Sequence, residues 1–205
     1  MRVVNHNWGS VLERFRRGVI VCHLRALQFL YKKRPVPLSY WLSFRSALQA
    51  ISHSPNLLSP AADFFTFAYT TLLESDEILT GVIFPLLDRA SAGVYLKLER
   101  VAGDFAITSA AVQLGLDKDG ACNSIGIGVT GAGAVPLKAS AGENLLKGKR
   151  ITAELIDQAG RLVQEGADPI EDLRGSASYK KKALSAILRR AIAESLRRAE
   201  AKRSS

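Results

Sequence analysis

Residues Gly93–Ala106 read GVYLKLERVAGDFA, and this stretch decides the fold. Val94, Leu96 and Leu98 alternate with Tyr95, Lys97 and Glu99. A period of two places one set on a buried strand face and the other set opposite. Gly93–Arg100 is therefore expected to be a strand, closed by a Gly103-Asp104 corner. A second run, Asp104–Asp117, carries Ala106, Thr108, Ala110, Val112, Leu114 and Leu116 on one face. Asp117-Lys118-Asp119-Gly120 has turn chemistry, and Ala121–Thr130 returns with Ile125, Ile127 and Val129 in alternation. The pattern predicts an antiparallel meander.

Helical spacing takes over downstream. Ser140–Leu146 reads as a short helix, and Thr152 can cap a second with the apolar stripe Leu155, Ile156, Ala159, Leu162 and Val163. Gly166 and Asp168-Pro169 end it. Ala177–Arg203 reads as a long closing helix. Leu184, Ile187, Leu188, Ala191, Ile192 and Leu196 form its inner stripe, and Lys180, Lys181, Lys182, Arg189, Arg190, Arg197 and Arg198 its other faces. Strands first and helices after predict an α+β fold: an antiparallel three- to four-stranded sheet packed by C-terminal helices.

Upstream, Glu77–Phe84 reads as a strand ended by Pro85, and Leu86–Ala92 as a connector. Residues 1–57 differ in kind. They carry nine Lys or Arg and one acid, Glu13, a net +8 of the chain's +9. The remainder is nearly neutral, so the overall charge is no argument for a nucleic-acid partner. Val19–Leu30 and Tyr40–Ile51 are each expected as a helix, separated by Arg34-Pro35-Val36-Pro37. His6, His23 and His53, and Trp8 and Trp41, form no ligand or triad spacing.

The 205 residues suffice for one ordinary domain or two small ones, and 47% apolar composition allows a real core. No apolar run is long enough for a membrane span and no signal peptide is recognisable, which predicts a soluble, cytoplasmic protein. Cys22 and Cys122 lack a metal-ligand or disulfide pattern. Gly126, Gly128 and Gly131 spell a GxGxxG, but no helix opens behind it and no Lys-Ser or Lys-Thr follows. These glycines read instead as a place where another backbone approaches closely. Asp168, Glu171, Asp172 and Arg174 crowd one corner, where capping and an Asp–Arg pair are expected over paired-carboxylate catalysis. No catalytic constellation and no metal site is predicted.

Three stretches together carry a resemblance. They are Asp63-Phe-Phe through Tyr69-Thr-Thr, Leu73-Glu and Asp76-Glu-Ile-Leu-Thr to Pro85; Lys97-Leu-Glu-Arg-Val-Ala-Gly-Asp-Phe-Ala106; and Ala167-Asp-Pro with Asp172-Leu-Arg-Gly-Ser-Ala-Ser-Tyr-Lys180. Residues 58–203 resemble the back half of the FAD-binding, medium subunit of molybdenum hydroxylases, in the aerobic carbon monoxide dehydrogenase and xanthine dehydrogenase family. The resemblance implies three segments: an atypical basic leader (1–57), a remnant of the FAD-binding domain (58–92) and a carbon monoxide dehydrogenase flavoprotein C-terminal-like domain (93–203). It implies FAD as cofactor, relaying electrons from an iron–sulfur small subunit and a molybdenum-cofactor large subunit to an external acceptor. It assigns flavin contacts to Leu79 and Lys97, with Tyr95 on the same strand face as Lys97. The family's glycine-rich pyrophosphate loops, of AGGHS and TIGG type, are not in this sequence, as in an N-terminally truncated member. An altered reading frame or a misjoined start would account for residues 1–57. Two other readings are a non-catalytic assembly domain docking on partner hydroxylase subunits and a basic nucleic-acid-associated protein.

Overall fold

The computed structural model describes residues 2–6, 20–23, 47–51, 57–68, 70–75, 78–84, 90–101 and 104–204. Side chains are described from residue 59 onward within those ranges, except for 78–84. In chain order the strands are β1 (Arg2–His6), β2 (Ile20–His23), β3 (Ala47–Ile51), β4 (Leu57–Pro60), β5 (Phe65–Phe67), β6 (Thr70–Thr71), β7 (Ile78–Phe84), β8 (Ser91–Glu99), β9 (Thr108–Leu116), β10 (Cys122–Thr130) and β11 (Leu137–Lys138). The helices are α1 (Ala61–Phe64), α2 (Ser140–Leu146), α3 (Ala153–Gly166) and α4 (Ala177–Arg203).

The α+β expectation holds, and β8, β9 and β10 form the expected meander. Tyr95 stands opposite Ala111 and Lys97 opposite Ser109, while Ala111 stands opposite Gly128. The sheet has five strands, not three or four, in the order β1-β8-β9-β10-β11. The added edges are β1, which pairs Asn5 with Leu96, and the two-residue β11. A second sheet runs β2-β7-β3-β4.

One face of the five-stranded sheet makes the core. Val94, Leu98, Ala110, Val112, Leu114, Ile127 and Val129 are buried there beneath the helices. Helix α4 packs across β8 and β9, α3 lies beside α4, and α2 packs on β10 and α3. Leu184, Leu188 and Ile192 are fully buried on α4. Each such side chain stabilises the fold by about 1.5–3 kcal/mol. The helix starts follow their caps: Thr152 Oγ1 accepts from Leu155 N at 3.4 Å, and Ser176 Oγ from Tyr179 N at 3.3 Å. Lys202 and Arg203 in the last turn of α4 oppose its negative dipole end. Glu143 of α2 accepts from Ile127 N at 2.8 Å and from Lys138 Nζ at 2.6 Å, tying helix to sheet.

Several local expectations are corrected. Ile20–His23 is strand, not helix, and so is Ala47–Ile51; both pair with β7. Cross-strand pairing overrides the weak helical pattern of those segments; the rest of both expected helices lies outside the described residues. The strand expected from Asp104 begins at Thr108, because Asp104 Oδ1 accepts from Phe105 N at 2.7 Å and Asp104 N donates to Val101 O at 3.1 Å, which makes a turn. Strand β8 begins at Ser91, inside the expected connector. Leu162 on α3 is 38% exposed; Gly160 is buried instead, close to Arg189 of α4. Gly131 meets a close backbone approach: its φ is +69°, and a Cβ there would lie 2.3 Å from Ile107 O. Cys122 is buried, and burial raises its thiol pKa to about 11, so it packs as a small hydrophobe.

Candidate functional site

The site grows from the face of β8 turned away from the helices. Strand alternation places Gly93, Tyr95, Lys97 and Glu99 there. The register adds Ser109, Ala111 and Gln113 from β9, and Gly126, Gly128 and Thr130 from β10. Around Tyr95 this face has few side chains. Gly93, Gln113 and Gly126 form one cross-strand row, and Tyr95, Ala111 and Gly128 the next. A glycine and alanine floor lets a flat group or a backbone approach within van der Waals contact.

Tyr95 is only 5% exposed. Burial raises its phenol pKa above the ordinary value, opposed by a hydrogen bond with Ser109 and reinforced by the charge of Glu99. Ser109 Oγ lies 2.6 Å from Thr130 Oγ1, so the hydroxyls form a chain across three strands.

Lys97 is partly exposed, its side chain at 21%. Its Nζ forms an ion pair with Glu99 and donates to Asp104 O at 2.9 Å. Glu99 is 1% exposed, an unusual place for a carboxylate. Its Oε2 makes no hydrogen bond of ordinary geometry; its charge partner is Lys97. Gln113 Nε2, on the same face, is buried with no hydrogen-bond partner among the described residues.

Beside Glu99 lies a cavity of about 450 Å³, between the end of β8 and the start of α4, lined also by Arg100, Ile107, Arg174 and Tyr179. Arg174 lies 3.6 Å from Asp104 and over the ring of Phe105 at 5.7 Å.

The structure brings Tyr95 and Lys97 to one strand face. Leu79 lies in β7 of the second sheet, opposite Ala50, and its side chain is outside the described residues. Two groups escaped the sequence reading. Glu99 and Gln113 sit on the correct alternating face, but a Glu or Gln there ordinarily reads as solvated. The corner of Asp168, Glu171, Asp172 and Arg174 is also rearranged. The ion partner of Asp172 is Lys180, at 2.7 Å, and that of Arg174 is Asp104. Lys180, expected on an outer face of α4, is 5% exposed. Among the described residues no group of three or more His, Cys, Asp or Glu side chains is placed to hold a metal ion, and no helix is long and apolar enough to cross a membrane.

Comparison with known proteins agrees with this architecture. Residues 93–195 match the family model described as the CO dehydrogenase flavoprotein C-terminal domain. The chain is 34% identical, over 140 residues, to the carbon monoxide dehydrogenase medium chain of Afipia carboxidovorans, covering 68% of this chain and 48% of that one. It is 33% identical over 134 residues to the medium chain of Hydrogenophaga pseudoflava, covering 65% and 46%. A solved structure of reconstituted CO dehydrogenase from Oligotropha carboxidovorans superposes with a TM-score of 0.75 at 30% identity, over 78% of this chain and 56% of that one. The chain thus spans about half the length of the curated relatives it matches. The matched segment is just over half of the chain and contains nearly all of the β8–β10 meander with most of the helical layer, so this protein belongs to the CO dehydrogenase flavoprotein C-terminal domain family.

Proposed function

We propose that this chain forms the ring-side wall of an FAD site in a medium, flavoprotein subunit of a molybdenum hydroxylase. In that assembly, electrons arriving from a molybdenum-cofactor large subunit through an iron–sulfur small subunit leave by way of the flavin to an external acceptor. One observation carries the reading: a buried tyrosine and a partly exposed lysine share a strand face whose neighbouring positions are glycine, alanine and small hydroxyls, with Glu99 and Gln113 the other long polar side chains on it.

The residues fit the flat, hydrogen-bonding end of the cofactor. Lys97 offers a cation and Gln113 Nε2, unpartnered among the described residues, a donor, with the buried Tyr95 in the cross-strand row between theirs. The bound flavin would supply the redox chemistry; the side chains orient it and tune its potential. Lys97 held near the ring favours the reduced, anionic form. Leu79 of β7 completes this proposal as an apolar contact from the second sheet.

Purification tests it. The chain, produced with iron–sulfur and molybdenum subunits of a hydroxylase of this family, should carry yellow flavin absorbance that Lys97→Met reduces. Colourless protein in that preparation would sink the reading.

A second reading has its own support. Leu173 is 99% exposed and Phe105 79%, on neighbouring turns joined by Arg174. Neighbouring exposed apolar side chains of this kind mark protein contacts, which favours an assembly domain docking on partner hydroxylase subunits. Leu173→Ser should then abolish co-purification of those subunits without changing thermal stability; unchanged co-purification would argue against it.

A further inference from the structure

We propose that Glu99 is the positioning residue for Lys97 and sets how much of its positive charge reaches the flavin. The inference rests on the flavin reading above and adds a residue to it.

The argument begins with burial. A carboxylate 1% exposed must be neutralised by a nearby cation or hydrogen-bonded throughout. Among the described residues Glu99 Oε2 has no ordinary hydrogen bond, and Lys97 is the cation that compensates it at that oxygen. The two residues are i and i+2 on one strand, hence on one face. Lys97 Nζ is held from a second direction by Asp104 O at 2.9 Å. The ammonium at the tip of a flexible lysine stem is thereby held by two acceptors. Arg100 and Arg174 share the cavity beside Glu99, but neither makes an ion pair with it.

Fixing Lys97 has an electrostatic consequence. A lone ammonium beside the ring would stabilise the reduced anion fully. An ammonium paired with a buried carboxylate presents a dipole, whose field is weaker. Glu99 therefore holds the flavin potential below the value that Lys97 alone would impose.

Glu99→Gln keeps the shape and an oxygen that accepts from Lys97 Nζ while removing the charge. The flavin midpoint potential is measured by dye-equilibrated reductive titration of the flavin-loaded assembly, for the wild type, Lys97→Met, Glu99→Gln and the double variant. Lys97→Met should lower the potential. Glu99→Gln should raise it, by about tenfold in the reduced-to-oxidised ratio at fixed solution potential, or about 30 mV for a two-electron couple. The double variant should match Lys97→Met, because a carboxyl this buried keeps its charge only beside its cation and so carries none to the flavin in either variant. If Lys97→Met leaves the potential unchanged, the flavin is not at this wall and both readings fall. If Lys97→Met shifts it but Glu99→Gln does not, only the role given to Glu99 is overturned. Where Glu99→Gln fails to fold, the double variant, with neither charge to bury, decides: a potential well away from that of Lys97→Met overturns the proposal.

Discussion

Lys180 reaches Asp172 from inside the protein: its ammonium lies 2.7 Å from Asp172 Oδ1, although the lysine side chain is 7% exposed and the aspartate side chain 42%. The same Nζ donates to Ile170 O at 2.7 Å. One buried cation on the first turn of α4 therefore fastens the corner that precedes the helix. The Asp172 carboxyl is held below its ordinary pKa, first by its hydrogen bond with Lys180 and then by Arg174 N.

Replacing Lys180 with methionine keeps the buried stem and removes two charge-assisted bonds. We expect a loss of about 2 kcal/mol, since bonds to charged groups contribute about 1.5–3 kcal/mol and this acceptor carboxylate can return to water. Urea unfolding measures it, and the corner 168–176 should lose amide protection first. An unchanged midpoint would mean that the clamp contributes nothing.

Gly131 and Gly133 should behave differently under the same substitution. Alanine at Gly131 would take a φ of +69° and drive its Cβ to 2.3 Å from Ile107 O. At Gly133 a Cβ meets nothing nearer than Asp168 O at 3.8 Å. Gly131→Ala should cost about 3 kcal/mol and Gly133→Ala less than about 1 kcal/mol. Thermal denaturation of the two variants side by side tests the contrast.

Glu194 gives a pH dependence with a definite sign. Its carboxyl is lowered from the ordinary 4.5 to about 2, first by the hydrogen bond from Arg197 and, after the opposing effect of burial, by Arg198. The unfolded chain binds this proton more readily than the folded one, so the contribution to stability is complete above about 4.5 and lost as pH falls toward 2. The stability difference between wild type and Glu194→Gln should therefore shrink steadily over that window. A difference independent of pH from neutrality to pH 2 would contradict the assignment.

The meander and the closing helix were legible because their signals are periodic. Val94, Leu96 and Leu98 alternate, and Leu184, Ile187, Leu188, Ala191 and Ile192 recur at three and four; both sets are buried as expected. What escaped was partner choice and the burial of polar groups. Nothing local to Arg2–His6 shows that it pairs with β8, because pairing is decided by the partner strand. Lys180 and Glu99 carry the residue types of a wet surface, and only the carbonyl of Ile170 and the ammonium of Lys97 make their burial tolerable. For the candidate site, strand period alone put Tyr95 and Lys97 on one face. The glycine floor around them appears only once β9 and β10 are set in register.

The central claim is that Tyr95 and Lys97 face a flavin ring. It is tested most directly by titrating FAD into the flavin-depleted assembly and following quenching of flavin fluorescence, for wild type and Lys97→Met. We expect saturable quenching in the wild type, with affinity reduced about tenfold in Lys97→Met, the loss of one charge-assisted contact. Equal affinity in the two proteins would contradict the account.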